Sequence, residues 1–181
     1  IILMALDLPL PKQIYGHGWL LQNGEKMSKS KGNVLYFDDL ASVFGVDAVR
    51  YYVLAEMGFC DDGLISWELL TEKINADLAN NYGNLVSRTC AMAQKYFGGK
   101  IENKNVVCDV DESLKQVATS ALQKLNKKMD EIKISDALSE IFAVFRRANK
   151  YIDETEPWVL AKNGETDRLE TVLYNLLETI V

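Results

Sequence analysis

Histidine occurs once in these 181 residues, cysteine and proline three times each, and the formal charge is −6 rather than positive. A lone His17, with Cys60, Cys90 and Cys108 far apart and no Cys-x-x-Cys pair, leaves no basis for a zinc site or a disulfide framework. The three thiols read as reduced, in a cytosolic protein. The deficit of positive charge excludes a protein that holds nucleic acid through a broad basic surface, because neutralising phosphates takes clustered Lys and Arg. Any RNA recognition must be local. No apolar run approaches the roughly 20 residues of a membrane span, and the apolar start at Ile1 lacks a basic stretch and a cleavage site. A soluble, non-secreted protein is expected.

What is present suits an ordinary folded chain: 48% of the residues are hydrophobic and 25% charged, enough for a buried core. The first residues, Ile1-Ile2-Leu3-Met4, open inside an apolar element, and Leu176 to Val181 close within a helical pattern. A piece of a longer polypeptide is expected from both ends.

Residues 11–21 mix a proline start with aromatic and aliphatic residues and read as a short strand, followed by a turn at Gln22-Asn23-Gly24. From Asp38 the pattern turns helical. Asp38 or Asp39 caps a short helix through Phe44, Gly45 ends it, and Asp47 caps a second helix, Ala48 to Met57. Residues 58–66 form a connector, and Ser66 starts a helix again. The longest helical signal sets Ile74, Leu78, Tyr82, Leu85, Thr89, Met92 and Tyr96 on one face and ends at Gly98-Gly99. Further helices are expected from Asp111 to Ile132, from Ser135 to Glu154 and from Glu165 onward, with Ser135 and Asn163 as caps. The fold expected is mainly α: a short mixed α/β segment over residues 1–72, then an all-α helix bundle of roughly four elements over residues 73–181.

Between turn and first helix lies Lys26-Met27-Ser28-Lys29-Ser30-Lys31-Gly32-Asn33, three cations and two hydroxyls without apolar periodicity. Such a loop can be a plain solvated connection. It is also the composition of a phosphate clamp, since nucleotidyl transfer needs positive charge aimed where negative charge grows, and a mobile loop can deliver it after ATP binds. No Gly-x-x-x-x-Gly-Lys-Ser/Thr spacing exists, so this is not a Walker loop.

Lys26-Met27-Ser28-Lys29-Ser30 matches letter for letter the signature loop of class I aminoacyl-tRNA synthetases, and His17-Gly18 and Lys31-Gly32-Asn33-Val34 resemble its usual flanks. The run Asn75 to Arg88 is similar to the first anticodon-domain helix of methionyl-tRNA synthetases. The run Asn149 to Lys162, with its Pro157-Trp158 pair, resembles the same family closely and separates it from sister synthetases. The resemblance implies that residues 1–72 end a catalytic domain, with its signature loop and stem-contact segment, and that residues 73–181 form an anticodon-binding bundle. It implies an aminoacyl-tRNA ligase that activates methionine with ATP, as a substrate carrying Mg2+, and esterifies it to tRNA(Met). Lys26 to Ser30 would close on ATP, with Lys29 on the departing pyrophosphate and Lys26 assisting. Asn80, Asn84, Arg88, Pro157 and Trp158 would contact the CAU anticodon. No metal site is implied in this stretch, and no membrane partner. The His-x-Gly-His motif of such enzymes is absent from these residues, so the chain alone is expected to be inactive. The rivals are another class I synthetase and a noncatalytic tRNA-binding paralogue.

The residues agree with that implication. Asn80, Asn84 and Arg88 recur every fourth residue and form one polar stripe, whose amides and guanidinium suit base edges, while Trp158 offers a stacking face. Asn81 leaves the register of the stripe open. His17 reads as a structural neighbour of the loop; Trp19, Trp67 and Tyr51-Tyr52 read as core or interdomain packing. Arg146, Arg147 and Lys150 form a modest basic cluster, more simply a solvated helix face than a phosphate contact.

Overall fold

The computed structural model describes residues 1–58 and 61–181, so Phe59, Cys60 and that part of the expected connector lie outside the described residues. After a single helical turn, α1 (Ile2–Ala5), the chain runs without regular structure to β1 (Leu20–Gln22), which pairs antiparallel with β2 (Glu25–Lys26). Only the last part of the expected strand over 11–21 is a strand, because pairing begins at Leu20: Leu20 to Gln22 pair with the parallel β3 (Gly63–Ile65), and Leu21 and Gln22 with β2 as well. Asn23 and Gly24, at φ 53° and 78°, make the two-residue turn. That pair of positive φ values is the primed hairpin turn that matches strand twist, and Asn-Gly is its preferred dipeptide.

Two short helices follow, α2 (Phe37–Phe44) and α3 (Val46–Glu56), hinged at Gly45. Asp38, Asp39 and Asp47 are not caps as expected; they sit in the first turns, where a carboxylate still complements the positive end of the helix dipole. Ser66 does cap α4 (Trp67–Lys73), its Oγ accepting from the Leu69 amide at 3.2 Å. Leu40, Val49, Tyr52, Ile65 and Leu70 close a first buried core around the small sheet.

From α4 the helix continues without a break to Phe97, but residues Ile74–Gly83 are wound as a π-helix, with i→i+5 bonding, before α5 (Asn84–Phe97) returns to ordinary winding. The expected single α-periodicity is therefore only partly right. The apolar steps Ile74, Leu78, Tyr82 are fours, which suit a wider turn, whereas those from Tyr82 through Leu85, Thr89, Met92 and Tyr96 alternate threes and fours. Long α6 (Asp109–Asp130) and α7 (Ile134–Thr155), short α8 (Pro157–Asn163) and α9 (Thr166–Ile180) complete the bundle. Helix α8 was not expected, and it takes Asn163 as its last residue instead of leaving it to cap α9. Ser135 likewise lies inside α7 and not at its cap. The second core gathers Leu85, Leu114, Ala148, Tyr151, Ile152, Leu169, Val172, Leu173 and Leu176. The fold is mainly α, with one short mixed segment.

One polar cluster is buried with that core. Asp111, only 8% exposed, accepts from both guanidinium nitrogens of Arg168 at 2.7 and 2.8 Å, from the Cys108 amide at 2.8 Å and from the Tyr151 hydroxyl at 2.5 Å. Asn175 donates to the same Tyr151 oxygen at 3.2 Å. Burial pushes the Asp111 carboxyl up, but these donors and the Arg168 charge outweigh it and hold it below the usual carboxylate range. Breaking such a pair from one side strands the other charge, a loss of about 3–5 kcal/mol. Asp111→Ala should cost that much in urea unfolding at neutral pH. Because the folded pKa is depressed, the contribution is full above about pH 4, the unfolded value, and is lost as pH falls through the folded one. In Asp111→Asn the acid limb of stability against pH should be visibly shallower than in the wild type.

Candidate functional site

The cationic loop hangs from the hairpin. Lys26 ends β2, Met27 turns inward against the first core, and Lys29–Lys31 form one 3-10 turn. Asn33 closes the loop: its Oδ1 accepts from the Ser28 amide at 2.8 Å and its Nδ2 donates to the Lys26 carbonyl at 3.4 Å. Gly32 allows the reversal at φ 67°, which a side chain would disfavour. The Ser28 and Ser30 hydroxyls lie 2.8 Å apart.

Two of the three cations are engaged. Lys26 Nζ sits 4.0 Å from the centroid of Trp19, and Lys31 Nζ is 2.9 Å from Glu25 Oε2. Both contacts are exposed and worth about 1 kcal/mol or less, so an anion can compete for them. Lys29 is exposed and has no side-chain partner among the described residues. A full positive charge on a short turn is thus available to an incoming anion. Of the two alternatives for Trp19, core or interdomain packing, the first is ruled out, since the ring is 60% exposed and lies beneath the Lys26 ammonium. His17, also exposed, has its Nδ1 2.8 Å from the Gly18 carbonyl oxygen and points at no loop residue. Trp67 packs on Phe44, with ring centroids 5.6 Å apart, and Tyr52 is buried; these two were read correctly as packing residues.

The polar stripe falls in an open groove of about 470 Å³ between the wide-wound helix and α7, lined by Asn80, Asn84, Arg88, Arg146, Asn149 and Asp153 with Ala76, Asp77 and Asn81. Asn80 and Asn84 are exposed. Asn81 is not free: Asn149 Nδ2 donates to its side-chain oxygen at 3.0 Å and to its carbonyl at 3.1 Å, so of the two neighbours Asn80 is the one left exposed. Arg88 reaches Asp153 at 3.2 Å, an exposed pair that orients the guanidinium at small cost. Pro157 is buried at the first position of α8, a placement that suits its missing amide hydrogen, while Trp158 beside it is 45% exposed. Trp158 is not part of the groove lining; it stands just past the end of α7, beyond Asp153.

Three groove residues escaped sequence reasoning as a set. Arg146, Asn149 and Asp153 share one face of α7 at three- and four-residue steps, a spacing that could have revealed them. The expected basic cluster splits: Arg147 bonds Ser113 Oγ, the Val110 carbonyl and Glu154, Lys150 pairs with Glu154, and only Arg146 faces the groove. Below the groove, Asp77 accepts from Tyr51 at 2.6 Å and pairs with Lys73, which also reaches Glu56. Burial pushes the Asp77 carboxyl up, but Tyr51, Lys73 and the Arg146 charge bring it below its ordinary value. Among the described residues no cluster of acidic, histidine or cysteine side chains could hold a metal, and no helix is long and apolar enough to cross a membrane.

Comparison with known proteins places these features in company. The family described as tRNA synthetases class I (M) matches residues 1–90. The chain is 55% identical to a methionine–tRNA ligase of Clostridium perfringens over 181 residues, covering 99% of this chain and 28% of that protein. It is 48% identical to the Bacillus subtilis methionine–tRNA ligase, of which it covers 27%. The solved Mycobacterium tuberculosis methionyl-tRNA synthetase in complex with methionyl-adenylate superposes with a TM-score of 0.91 at 38% identity, over 98% of this chain and 36% of that one. The chain therefore spans about 28% of the length of the curated relatives it matches.

Proposed function

Because this chain belongs to the methionyl-tRNA synthetase family of class I, we propose that it supplies two parts of a methionine–tRNA ligase: an ATP clamp and a reader of the CAU anticodon. The observation that carries the proposal is the gathering of Asn80, Asn84 and Arg88 in one groove, far along the chain from an uncommitted Lys29. We assign residues 1–72 to the end of the catalytic domain with its stem-contact segment and residues 73–181 to the anticodon-binding bundle. Two separate buried cores support that division.

In the clamp, Lys29 meets the phosphates of ATP and takes up charge on the departing pyrophosphate; Lys26 leaves Trp19 to assist, and Ser28 and Ser30 turn their hydroxyls to phosphate oxygens. Mg2+ arrives with the nucleotide. Methionine and the 3′ end of tRNA(Met) bind to parts of the protein outside these residues, and the work is done in the cytoplasm. In the groove, Asn80 and Asn84 hydrogen-bond base edges and Arg88 exchanges its exposed bond to Asp153 for a base, while beyond the groove one base stacks on the exposed Trp158, next to buried Pro157.

Lys29→Ala in the full-length protein should slow ATP–pyrophosphate exchange by about 3 kcal/mol, roughly a hundredfold, with methionine affinity little changed. Unchanged turnover would remove the clamp role. Trp158→Ala should weaken tRNA binding by about 1–3 kcal/mol and leave adenylate formation intact, while Arg88→Gln relaxes discrimination between CAU and a tRNA with one altered anticodon base. If both variants charge both tRNAs as the wild type does, these residues are structural. The 181-residue chain by itself should show no pyrophosphate exchange with any amino acid; exchange activity would show that it holds an amino-acid pocket after all.

A further inference from the structure

π-Helical winding is rare, is usually confined to one turn, and tends to occur at functional sites. Here it runs through Ile74–Gly83, directly under the groove. At its end the Asn84 amide donates to the carbonyl of Ala79, five residues back. Gly83 closes this stretch with ordinary helical angles, φ −60° and ψ −42°, so it is not needed for a left-handed turn. In a regular helix interior glycine is unfavourable relative to alanine. Its presence has another cause: a Cβ at Gly83 would lie 2.9 Å from the Leu78 carbonyl oxygen, a backbone atom that cannot swing aside.

The winding decides which asparagine faces where. Asn81 is turned onto Asn149 of α7, and Tyr82 stacks against Phe145 of α7 at 4.7 Å. Asn80 and Asn84 are left exposed on the groove side, in line with Arg88 on α5. Regular winding would take one residue out of the turn and rotate everything before Gly83 by roughly 100° against α5. Asn80 would then drift to the edge of the stripe, away from Arg88, or Asn81 would be pulled from Asn149.

We infer that Gly83 is a positioning residue for anticodon reading: by leaving room for the Leu78 carbonyl it permits the wide winding that brings Asn80 into line with Asn84 and Arg88, which α5 already holds one turn apart. The inference rests on the proposed reading of the groove. It touches no ATP-clamping residue.

The test is Gly83→Ala in the full-length protein, with aminoacylation of a CAU tRNA and of the same tRNA carrying one changed anticodon base. Adenylate formation should stay at the wild-type rate. The kcat/KM for the CAU tRNA should fall at least tenfold, chiefly through KM, while the slow charging of the altered tRNA barely moves, so that discrimination collapses. A loss that affected both tRNAs and adenylate formation alike would mark a general structural defect and overturn the inference. If the wild type itself does not prefer CAU, the reading of the groove fails; if it does and Gly83→Ala keeps that preference, the groove stands and the positioning role is overturned. Should the alanine variant melt below the assay temperature, deletion of Gly83 removes the extra residue without the clash. The same collapse is expected, and a folded deletion variant that still prefers CAU overturns the inference.

Discussion

One uninterrupted helix has to satisfy two cores at once. It gives Leu70 to the core around the small sheet and Leu85 to the core of the bundle, and between them it passes Asp77 to Tyr51 of α3 and Asn81 to Asn149 of α7. The direction in which each of those side chains points is set by the twist per residue, so the winding of residues 74–83 is the constraint that the rest of the arrangement obeys. An aromatic row reinforces it: Tyr51 packs on Phe142, Phe142 on Phe145, and Phe145 on Tyr82. The π-helix is therefore held from both sides by tertiary contacts, which compensates for its poorer intrinsic stability.

Electrostatics explains how a chain of net charge −6 can serve the proposed role. Most of its cations are engaged with carboxylates, as Lys73, Arg147 and Arg168 are, and these hold elements together without offering charge to a ligand. Among the cations without so firm a partner, three stand at the two candidate sites. Lys29 stands alone on its turn, Arg146 faces the groove, and Arg88 is held only by an exposed contact. Charge delivered at a few points favours recognition of particular atoms over adhesion to any polyanion, since nonspecific binding scales with the number of phosphates neutralised.

Much of this was legible in the residues, and the misses have physical causes. The longer helices, the Asn-Gly turn and the mixed first segment follow from periodicity and turn chemistry, which act locally, whereas the return strand Glu25–Lys26 lies in what reads locally as loop. The strand over 11–19 failed because extended sequence becomes a strand only where a partner exists, and partners begin at Leu20. Asp38 and Asp39 failed as caps because helix ends tolerate shifts of a residue or two when the core sets the helix position. Which of Asn80 and Asn81 is left exposed could not be read locally at all; it depends on Asn149, far away in sequence, which holds Asn81. The wide winding left a faint trace in the fourfold steps Ile74, Leu78, Tyr82, and a plainer one in a glycine where helix propensity opposes it.

The two candidate sites are built in opposite ways, and the chemistry proposed for each accounts for the difference. Reading a base edge requires donors fixed before the base arrives, because any freedom they retain must be lost on binding and is subtracted from discrimination. The groove accordingly stands on long helices, with Asn149 tied to Asn81 and Arg88 to Asp153, and the exposed Trp158 beyond it follows a buried Pro157. A phosphate clamp needs the reverse. Its charge must approach after the nucleotide has entered and withdraw before the product leaves, so contacts that hold it in the resting state should be weak enough to exchange. The loop carries such contacts: one exposed ion pair at Lys31, one cation–π contact at Lys26, and a lysine between them that holds nothing. Only its two ends are firm, Met27 in the first core and Asn33 across its mouth, so the loop can change shape without loosening the sheet from which it hangs.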